Sequence, residues 1–287
     1  MESYEEMGTK AMNTSQFLWP QGLRMALTSD WDDGTEYDRR LVAILNRFGL
    51  KGSFNLCSGK FGQDSQQSGW KTYIIAEEVA GLYQGHEVCS HTVNHFRTWS
   101  LPVDQLRWEI LEDRRRLEAV AGYPVRGFVM PFGWKTGYDW CKEFVRNCGF
   151  KYLRHTESMP QFDLPGDFLD WKPTCHCGDD LKKHWATFLD RNKDQPGQLF
   201  NVFGHSYEFE DDLGWDSIEA FAVLAGGTPG VWHATKGEIY DYVSAWRCLD
   251  WSMDGTLVRN PSAAPVWFLH SAQVFKVEGG QLLHLDG

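Results

Sequence analysis

Short apolar segments alternate with amphipathic helical segments along most of this chain. The first apolar segment, Arg24–Trp31, is predicted to form a strand, and a helix predicted over Tyr37–Phe48 follows it, with Leu41, Ile44 and Leu45 at helical spacing. Alternation of strands and helices is typical of a parallel sheet that is covered by helices. Because seven or eight such units fit into the 287 residues, the sequence predicts a closed or nearly closed barrel.

The same alternation continues to about residue 250. Further strands are predicted at Gly52–Leu56, His86–Ser90, Val125–Met130, Lys151–Arg154, Phe168–Thr174, Leu199–Phe203 and Gly230–Ala234. Further helices are predicted at Ala76–Tyr83, Val103–Ala121, Tyr138–Cys148, Asp180–Arg191, Trp215–Ala225 and Gly237–Arg247. The pattern then changes to short strands separated by turns. We therefore predict one domain, with a distorted (β/α)7–8 barrel over residues 22–250 and an appended β-rich segment over residues 251–287.

The charge balance, the hydropathy and the cysteines limit the partners and the compartment. With 28 Lys and Arg against 39 Asp and Glu, the net charge is −11, which disfavours binding to nucleic acid or to an anionic membrane. No apolar run approaches the roughly 20 residues of a membrane-spanning helix, and the acidic start lacks the pattern of a secretory signal. Seven cysteines in such a chain are typical of reduced thiols. We therefore expect a cytoplasmic protein, and the sequence indicates no oligomeric state.

Residue types that bind metals follow two of the predicted strands. Asp30, Asp32 and Asp33 end the first strand, where three carboxylates repel one another unless a cation or a catalytic role keeps them together. His91 and His95 follow the third strand, and a helical turn there would place both imidazoles on one face. Because the carboxyl ends of parallel barrel strands share one face, we expect the two clusters to meet. One carboxylate and two imidazoles leave positions open on a divalent ion, as in a catalytic site.

These motifs resemble the signature of the polysaccharide deacetylases, a family that includes chitin, chito-oligosaccharide and peptidoglycan deacetylases. Trp31-Asp32-Asp33-Gly34 is similar to the family's aromatic-Asp-Asp-Gly motif, and His91-Thr92-Val93-Asn94-His95 is similar to its His-[Ser/Thr]-x-x-His motif. The order and the separation of the two motifs match as well, and the resemblance covers roughly residues 24–207. It implies a metal-dependent hydrolase that removes acetyl groups from a poly- or oligosaccharide, with N-acetyl groups favoured over O-acetyl groups.

The resemblance also implies roles for individual residues. Asp32 matches the family's catalytic base. The residues that match its metal ligands are Asp33, His91 and His95. The late histidine that protonates the leaving group matches His205. The expected ion is Zn²⁺, although Co²⁺, Ni²⁺ and Fe²⁺ suit the same donors.

Further residues of the family's site are implied by shorter motifs. Phe132 stands where a backbone N–H helps to hold the oxyanion, and Asp170-Trp171 resembles the Asp-Trp motif, in which the tryptophan forms part of the acetyl pocket. From the positions of their rings after predicted strands, we also expect three residues to line the sugar cleft: Trp134, Tyr207 and Trp232.

One departure from the family pattern concerns an arginine that contacts the base. Its position is Val129 here, and we predict that Arg154, at the end of the next strand, takes its place, with Arg126 as the second choice. The departure keeps open the hydrolysis of a different small linear amide on the same barrel. A catalytically degenerate carbohydrate-binding protein is a separate alternative. Asp30 receives no role, and Glu208 is interpreted as part of a solvated acidic loop.

Overall fold

The computed structural model describes residues 15–133, 140–191 and 195–285 of the chain. The strands of these residues are β1 (Gln16–Leu18), β2 (Met25–Asp33), β3 (Gly52–Leu56), β4 (Glu87–Ser90), β5 (Gly127–Val129), β6 (Tyr152–Arg154), β7 (Cys175–His176), β8 (Gln198–His205), β9 (Val231–His233), β10 (Asp250–Trp251), β11 (Leu257–Arg259), β12 (Val266–His270), β13 (Gln273–Val277) and β14 (Leu282–His284). The helices are α1 (Asp38–Arg47), α2 (Ser65–Ser68), α3 (Val79–Leu82), α4 (Val103–Ala121), α5 (Trp140–Asn147), α6 (Leu181–Arg191), α7 (Trp215–Gly226) and α8 (Lys236–Arg247).

A curled sheet of parallel strands forms the centre of the molecule. Its hydrogen-bonding order is β6–β5–β4–β3–β2–β8–β7, and β9 pairs with the start of β2. The segment that leads into β7 joins both ends of this order, because the Trp171 N–H donates to the Leu153 carbonyl and the Thr174 N–H donates to the Asn201 carbonyl. These bonds draw the sheet into a barrel, so the predicted (β/α) barrel is confirmed.

Apolar faces pack on both sides of the barrel wall. Outside it, Leu41 and Leu45 of α1 join one large buried cluster with strand residues such as Trp31 and Phe200. Inside it, at the end that holds the amino termini of the strands, a second cluster is built from aromatic side chains: Trp19, Tyr152, Trp171 and Tyr242. The carboxyl ends of the strands are left open for polar side chains.

The C-terminal residues form two small antiparallel sheets. One has the order β1–β12–β13, and the other has the order β10–β11–β14. Val258, Val266, Phe268 and Val277 form a buried apolar cluster between them and the end of α8. The sequence predicted the C-terminal strands but not β1, whose partner β12 lies some 250 residues further along the chain. None of the helices in the described ranges is long and apolar enough to cross a membrane.

Two predicted elements have a different form in the structure. The segment predicted as a strand over Phe168–Thr174 begins with a 3₁₀ turn at Phe168–Asp170, Trp171 forms only an isolated bridge with Arg154, and the regular strand is Cys175–His176. The Asp167 carboxylate accepts the Leu169 N–H at 2.9 Å, and this local hydrogen bond favours a turn over strand pairing. The helix predicted over Ala76–Tyr83 is a 3₁₀ turn that continues into the short α3.

Candidate active site

An open cleft of about 570 Å³ lies at the carboxyl ends of β2, β4 and β8. Most of the site residues predicted from the sequence line it: Asp32, Asp33, His91, His95, Phe132, His205 and Tyr207. The barrel accounts for this convergence, because the ends of parallel strands meet at one face.

Asp33, His91 and His95 lie together on one side of the cleft. Asp33 Oδ1 is 3.1 Å from His95 Nε2 and 3.6 Å from His91 Nε2. The side chains of Asp33 and His91 are buried, yet within the described residues Asp33 Oδ1 accepts no hydrogen bond. A buried carboxylate oxygen without a hydrogen bond is costly unless a cation faces it. One carboxylate and two imidazoles therefore fit a divalent ion at this position.

The loop after β4 holds the two histidines in a form suited to metal binding. The two imidazoles meet through backbone turns and not through the helical turn that we expected, since Thr92 and His95 have positive φ angles of 68° and 58°. His91 Nδ1 lies 2.8 Å from the Val129 carbonyl oxygen and is the donor, because a carbonyl oxygen can only accept. In the neutral ring, Nε2 then carries the lone pair that can bind a metal. Burial, together with the nearby His91, lowers the pKa of His95 to about 4, which keeps that ring neutral.

Two carboxylates of α4 fix the same loop from behind. Asp113 accepts the Ser90 hydroxyl at 2.6 Å and the His91 N–H at 3.2 Å, while Glu109 accepts the Asn94 N–H at 2.9 Å. Both carboxylates are buried, whereas the other charged residues of α4 are not. Nothing in the helical pattern distinguishes Asp113 from its exposed neighbours.

Asp32 lies beside the metal-binding side chains, in contact with Arg154. The Arg154 Nη2 atom donates to Asp32 Oδ1, and Asn55 Nδ2 donates to the same oxygen at 2.8 Å. Burial by itself would raise the pKa of Asp32, but the Arg154 guanidinium and the nearby imidazoles outweigh it and hold the pKa well below its usual value. Asp32 is therefore an ionised carboxylate at neutral pH.

His205 faces Asp32 and Asp33 from the end of β8. Its Nε2 atom is 3.9 Å from one oxygen of each carboxylate, and its Nδ1 atom is 3.1 Å from Glu208 Oε2. Burial would lower the pKa of His205, whereas Glu208 and the two aspartates raise it, and the net shift is upward. Our interpretation of Glu208 as a solvated loop residue is wrong, because the same oxygen accepts the His205 N–H at 2.9 Å and lies 3.3 Å from His176 Nε2.

The backbone of Phe132 adopts a left-handed conformation, and its N–H is not used in the hydrogen bonds of the described sheet. Its φ is +62°, and within the described residues its N–H donates no backbone hydrogen bond. The ring is half exposed at the mouth of the cleft, 4.8 Å from the His95 ring between centroids.

Among the predicted residues that the structure describes, four do not line this cleft: Arg154, Asp170, Trp171 and Trp232. Trp171 is buried beneath it, with Lys236 Nζ 4.5 Å from its ring centroid, and Asp170 pairs with Lys142 near the surface. Trp232 lies in β9 beside Met25–Leu27, at the opposite end of β2 from Asp32, and packs on Trp19. Trp134 lies outside the described residues. The prediction for Trp232 is wrong because β9 pairs only with the start of β2.

Comparison with known proteins agrees with this geometry. Residues 23–153, which contain Asp32, Asp33, His91 and His95, match the family described as polysaccharide deacetylase. Over these residues, which make up just under half of the chain, the sequence is that of the polysaccharide deacetylase family. The resemblance inferred from the sequence is thereby confirmed, and with it the coarser expectation of a hydrolase from this family.

Solved structures with the same fold extend the comparison over most of the chain. A Mycobacterium smegmatis protein assigned as a polysaccharide deacetylase is 18% identical with a TM-score of 0.57, over 82% of this chain and 96% of that one. The PuuE allantoinase is 15% identical with a TM-score of 0.58, over 77% of this chain and 91% of that one. At these identities, the two similarities establish the fold. No curated protein matches the sequence at a significant level.

Proposed function

We propose that this protein is a metal-dependent deacetylase that hydrolyses N-acetyl groups of a poly- or oligosaccharide. The observation that carries the proposal is that His91 and His95 converge on a buried oxygen of Asp33 that accepts no hydrogen bond within the described residues. Asp32 and His205 lie beside this group. The family match supports the same conclusion.

Asp33, His91 and His95 would hold the ion. A divalent ion bound there supplies a Lewis acid for the acetyl carbonyl and lowers the pKa of water in the cleft. Zn²⁺ is the ion that we expect, and the donor set also suits Co²⁺, Ni²⁺ and Fe²⁺.

Asp32 is the residue to accept a proton from the attacking water. It is ionised, and Arg154 and Asn55 fix one of its oxygens, which leaves Oδ2 directed toward the cleft and His205. A carboxylate in this position is a general base with a fixed orientation.

His205 and Phe132 complete the machinery. Glu208 holds His205 Nδ1, so the Nε2 atom faces the reacting group and delivers a proton to the departing amine. The Phe132 N–H donates to the oxyanion that forms on the acetyl carbon, and a preorganised donor of this kind stabilises the transition state.

Aromatic rings along the cleft support a sugar substrate. Trp70, Tyr73 and Tyr207 line it, and the Trp70 and Tyr207 rings meet edge to face with centroids 4.6 Å apart. Flat amphipathic rings of this kind pack against the apolar faces of sugars. The remaining cleft is open to solvent, so a chain longer than one sugar can extend out of it.

A small linear amide is the second candidate substrate. The observation that favours it is the size of the cleft, because about 570 Å³ is typical of sites for single small molecules. Val129 at the family's arginine position also makes this chain unlike the usual deacetylase pattern.

The test is acetate release from N-acetylglucosamine oligomers by the purified protein, before and after chelation and after Zn²⁺ is restored. The proposal expects acetate release that requires the ion, and loss of at least about 100-fold in kcat for Asp32→Asn with the metal content retained. Turnover of small linear amides alone would favour the second candidate. Glycan binding without any turnover would favour a degenerate carbohydrate-binding protein.

A further inference from the structure

A layer of buried charges lies directly beneath the cleft. It consists of Asp30, Asp32, Arg154 and Lys236, and none of these side chains is more than 4% exposed. Two carboxylates and two cations make the layer electrically neutral. Buried ions are tolerated only when each one is paired, so the members depend on one another.

Asp30 is the centre of this layer. Its Oδ2 atom accepts from Lys236 Nζ and, at 3.2 Å, from Arg154 Nε, while its Oδ1 atom accepts from Asn55 Nδ2. Arg154 uses a different nitrogen, Nη2, to reach Asp32. The guanidinium therefore spans the two carboxylates and is fixed at both ends.

Lys236 enters the barrel from the first residue of α8. The Thr235 hydroxyl caps this helix by accepting the Glu238 N–H at 3.2 Å, and the Lys236 N–H donates to Ser53 Oγ at 3.0 Å. The next residue, Gly237, packs so closely on β4 that an added Cβ would lie 2.4 Å from Glu87 Oε1. The helix start is thus pressed against the sheet, and the lysine side chain has a fixed path inward to Asp30 and the face of Trp171.

The arrangement determines how Arg154 divides its hydrogen bonds. With Lys236 in place, Asp30 has a second cation and needs only one donor from Arg154. If Lys236 were absent, Arg154 would be the sole cation for two buried carboxylates, and Asp30 would compete with Asp32 for its donors.

We propose that Asp30 and Lys236 are positioning residues that hold the Arg154 guanidinium against the Asp32 carboxylate. The inference rests on the proposed function, in which Asp32 is the base. It gives a role to the extra aspartate of the Asp30-Trp31-Asp32-Asp33 motif and to a lysine that lies more than 200 residues further along the chain.

The test compares Lys236→Met with Lys51→Met, and the second variant is the matched control. Lys51 also forms one ion pair with α8, to Glu238, but its side chain is 37% exposed and makes no contact with the buried layer. We expect Lys236→Met to lower kcat by about 10- to 100-fold while KM changes less than about twofold, because only the position of the base is disturbed. Zn²⁺ affinity is expected to match the wild type in both variants, and Lys51→Met is expected to keep full kcat.

A second variant covers the case in which an unpaired buried carboxylate prevents folding. The double variant Asp30→Asn/Lys236→Met removes one charge of each sign, so the layer stays neutral, yet Arg154 Nε loses its carboxylate partner. A loss of kcat is expected here as well, because the guanidinium is then fixed by a carboxylate at one end only. Unchanged kcat in either folded, zinc-binding variant would overturn the inference, as would a loss of kcat that follows the loss of zinc.

A crystal structure of Lys236→Met separates this inference from the proposed function. We expect Arg154 Nη2 to lie beyond hydrogen-bond distance of Asp32 in the variant. If the wild-type protein releases no acetate from acetylated sugars, the proposed function fails, but the position of Arg154 still decides the inference. An Arg154 side chain that stays on Asp32 in this structure would overturn it.

Discussion

Glu208 Oε2 lies 3.1 Å from His205 Nδ1 and accepts the backbone N–H of the same histidine at 2.9 Å. A carboxylate that bonds both atoms fixes the tautomer and the direction of the imidazole, so Nε2 points to Asp32 and Asp33. His176 Nε2 and Cys177 Sγ approach the same oxygen, at 3.3 Å and 3.2 Å. Because Oε2 is already bonded in this way, we interpret His176, His205 and Glu208 as an orienting cluster and not as a second metal site.

Replacing Glu208 with glutamine tests this orientation. We expect kcat to fall by about 10- to 100-fold with KM nearly unchanged, since the ring loses the carboxylate that favours its protonated form. Steady-state acetate release measures both constants. Asp212→Asn is the control, because Asp212 is exposed in the helical turn that follows Glu208, and equal losses in the two variants would contradict the assignment.

The second prediction concerns the replacement of Arg154. Arg154→Met removes the guanidinium from Asp32 and leaves that carboxylate and Asp30 with one fewer cation, so we expect kcat to fall by about 100-fold and the melting temperature to drop. Arg126→Met is the matched control, since Arg126 pairs with Asp241 at 2.6 Å near the surface. Wild-type activity in Arg154→Met, or an equal loss in Arg126→Met, would defeat the idea that Arg154 replaces the family's arginine.

The metal-binding loop depends on Asp113. Its carboxylate accepts the Ser58 N–H at 2.8 Å as well as the hydrogen bonds from Ser90 and His91, so Asp113→Asn places an amide donor among groups that are all donors. We expect the affinity for Zn²⁺ to fall by about 10- to 100-fold, as measured by calorimetric titration. Asp104→Asn on the same helix should bind zinc normally, because its side chain is 94% exposed.

The buried carboxyl group of Asp38 should make the stability of the protein depend on pH. Burial raises its pKa to about 7, although the Ser206 and Tyr83 hydroxyls oppose this, whereas the unfolded chain has a pKa near 4. The folded state therefore keeps a proton that the unfolded state has lost between about pH 4 and pH 7, so this group makes the free energy of unfolding decrease as the pH rises through that range.

Urea unfolding of the wild type and Asp38→Asn at several pH values isolates this contribution. The variant cannot lose the proton, so its stability relative to the wild type should rise from pH 4 to pH 7 and then level off. A difference between the two proteins that is the same at every pH would contradict the raised pKa of Asp38.

Local patterns in the sequence were sufficient for the barrel. The helix predicted over Val103–Ala121 has the same bounds in the structure, and the strand predicted at Gly52–Leu56 does as well, because helical spacing and short buried runs are visible locally. Strand β1 was missed because three residues give too little pattern when the partner strand lies 250 residues away. The strand predicted at Phe168–Thr174 failed because a capped turn outcompetes pairing there.

The residues of the candidate site likewise fall into those that a local motif predicted and those that only the tertiary structure revealed. Asp32, Asp33, His91 and His95 were found because they stand in short motifs at strand ends, and the barrel brings those ends together. Asn55, Asp113, Glu208 and Lys236 were missed because their roles come from tertiary contacts. An acidic residue in a charged helix or a lysine at a helix start has the same local pattern whether it is solvated or buried.

The most direct test of the account is an anomalous difference map from crystals grown with Zn²⁺. We predict one strong peak per chain, within coordination distance of the Asp33 carboxylate and the Nε2 atoms of His91 and His95. A map without a peak there would contradict the claim that Asp33, His91 and His95 form the catalytic metal site. A peak at His176, His205 and Glu208 instead would contradict it as well.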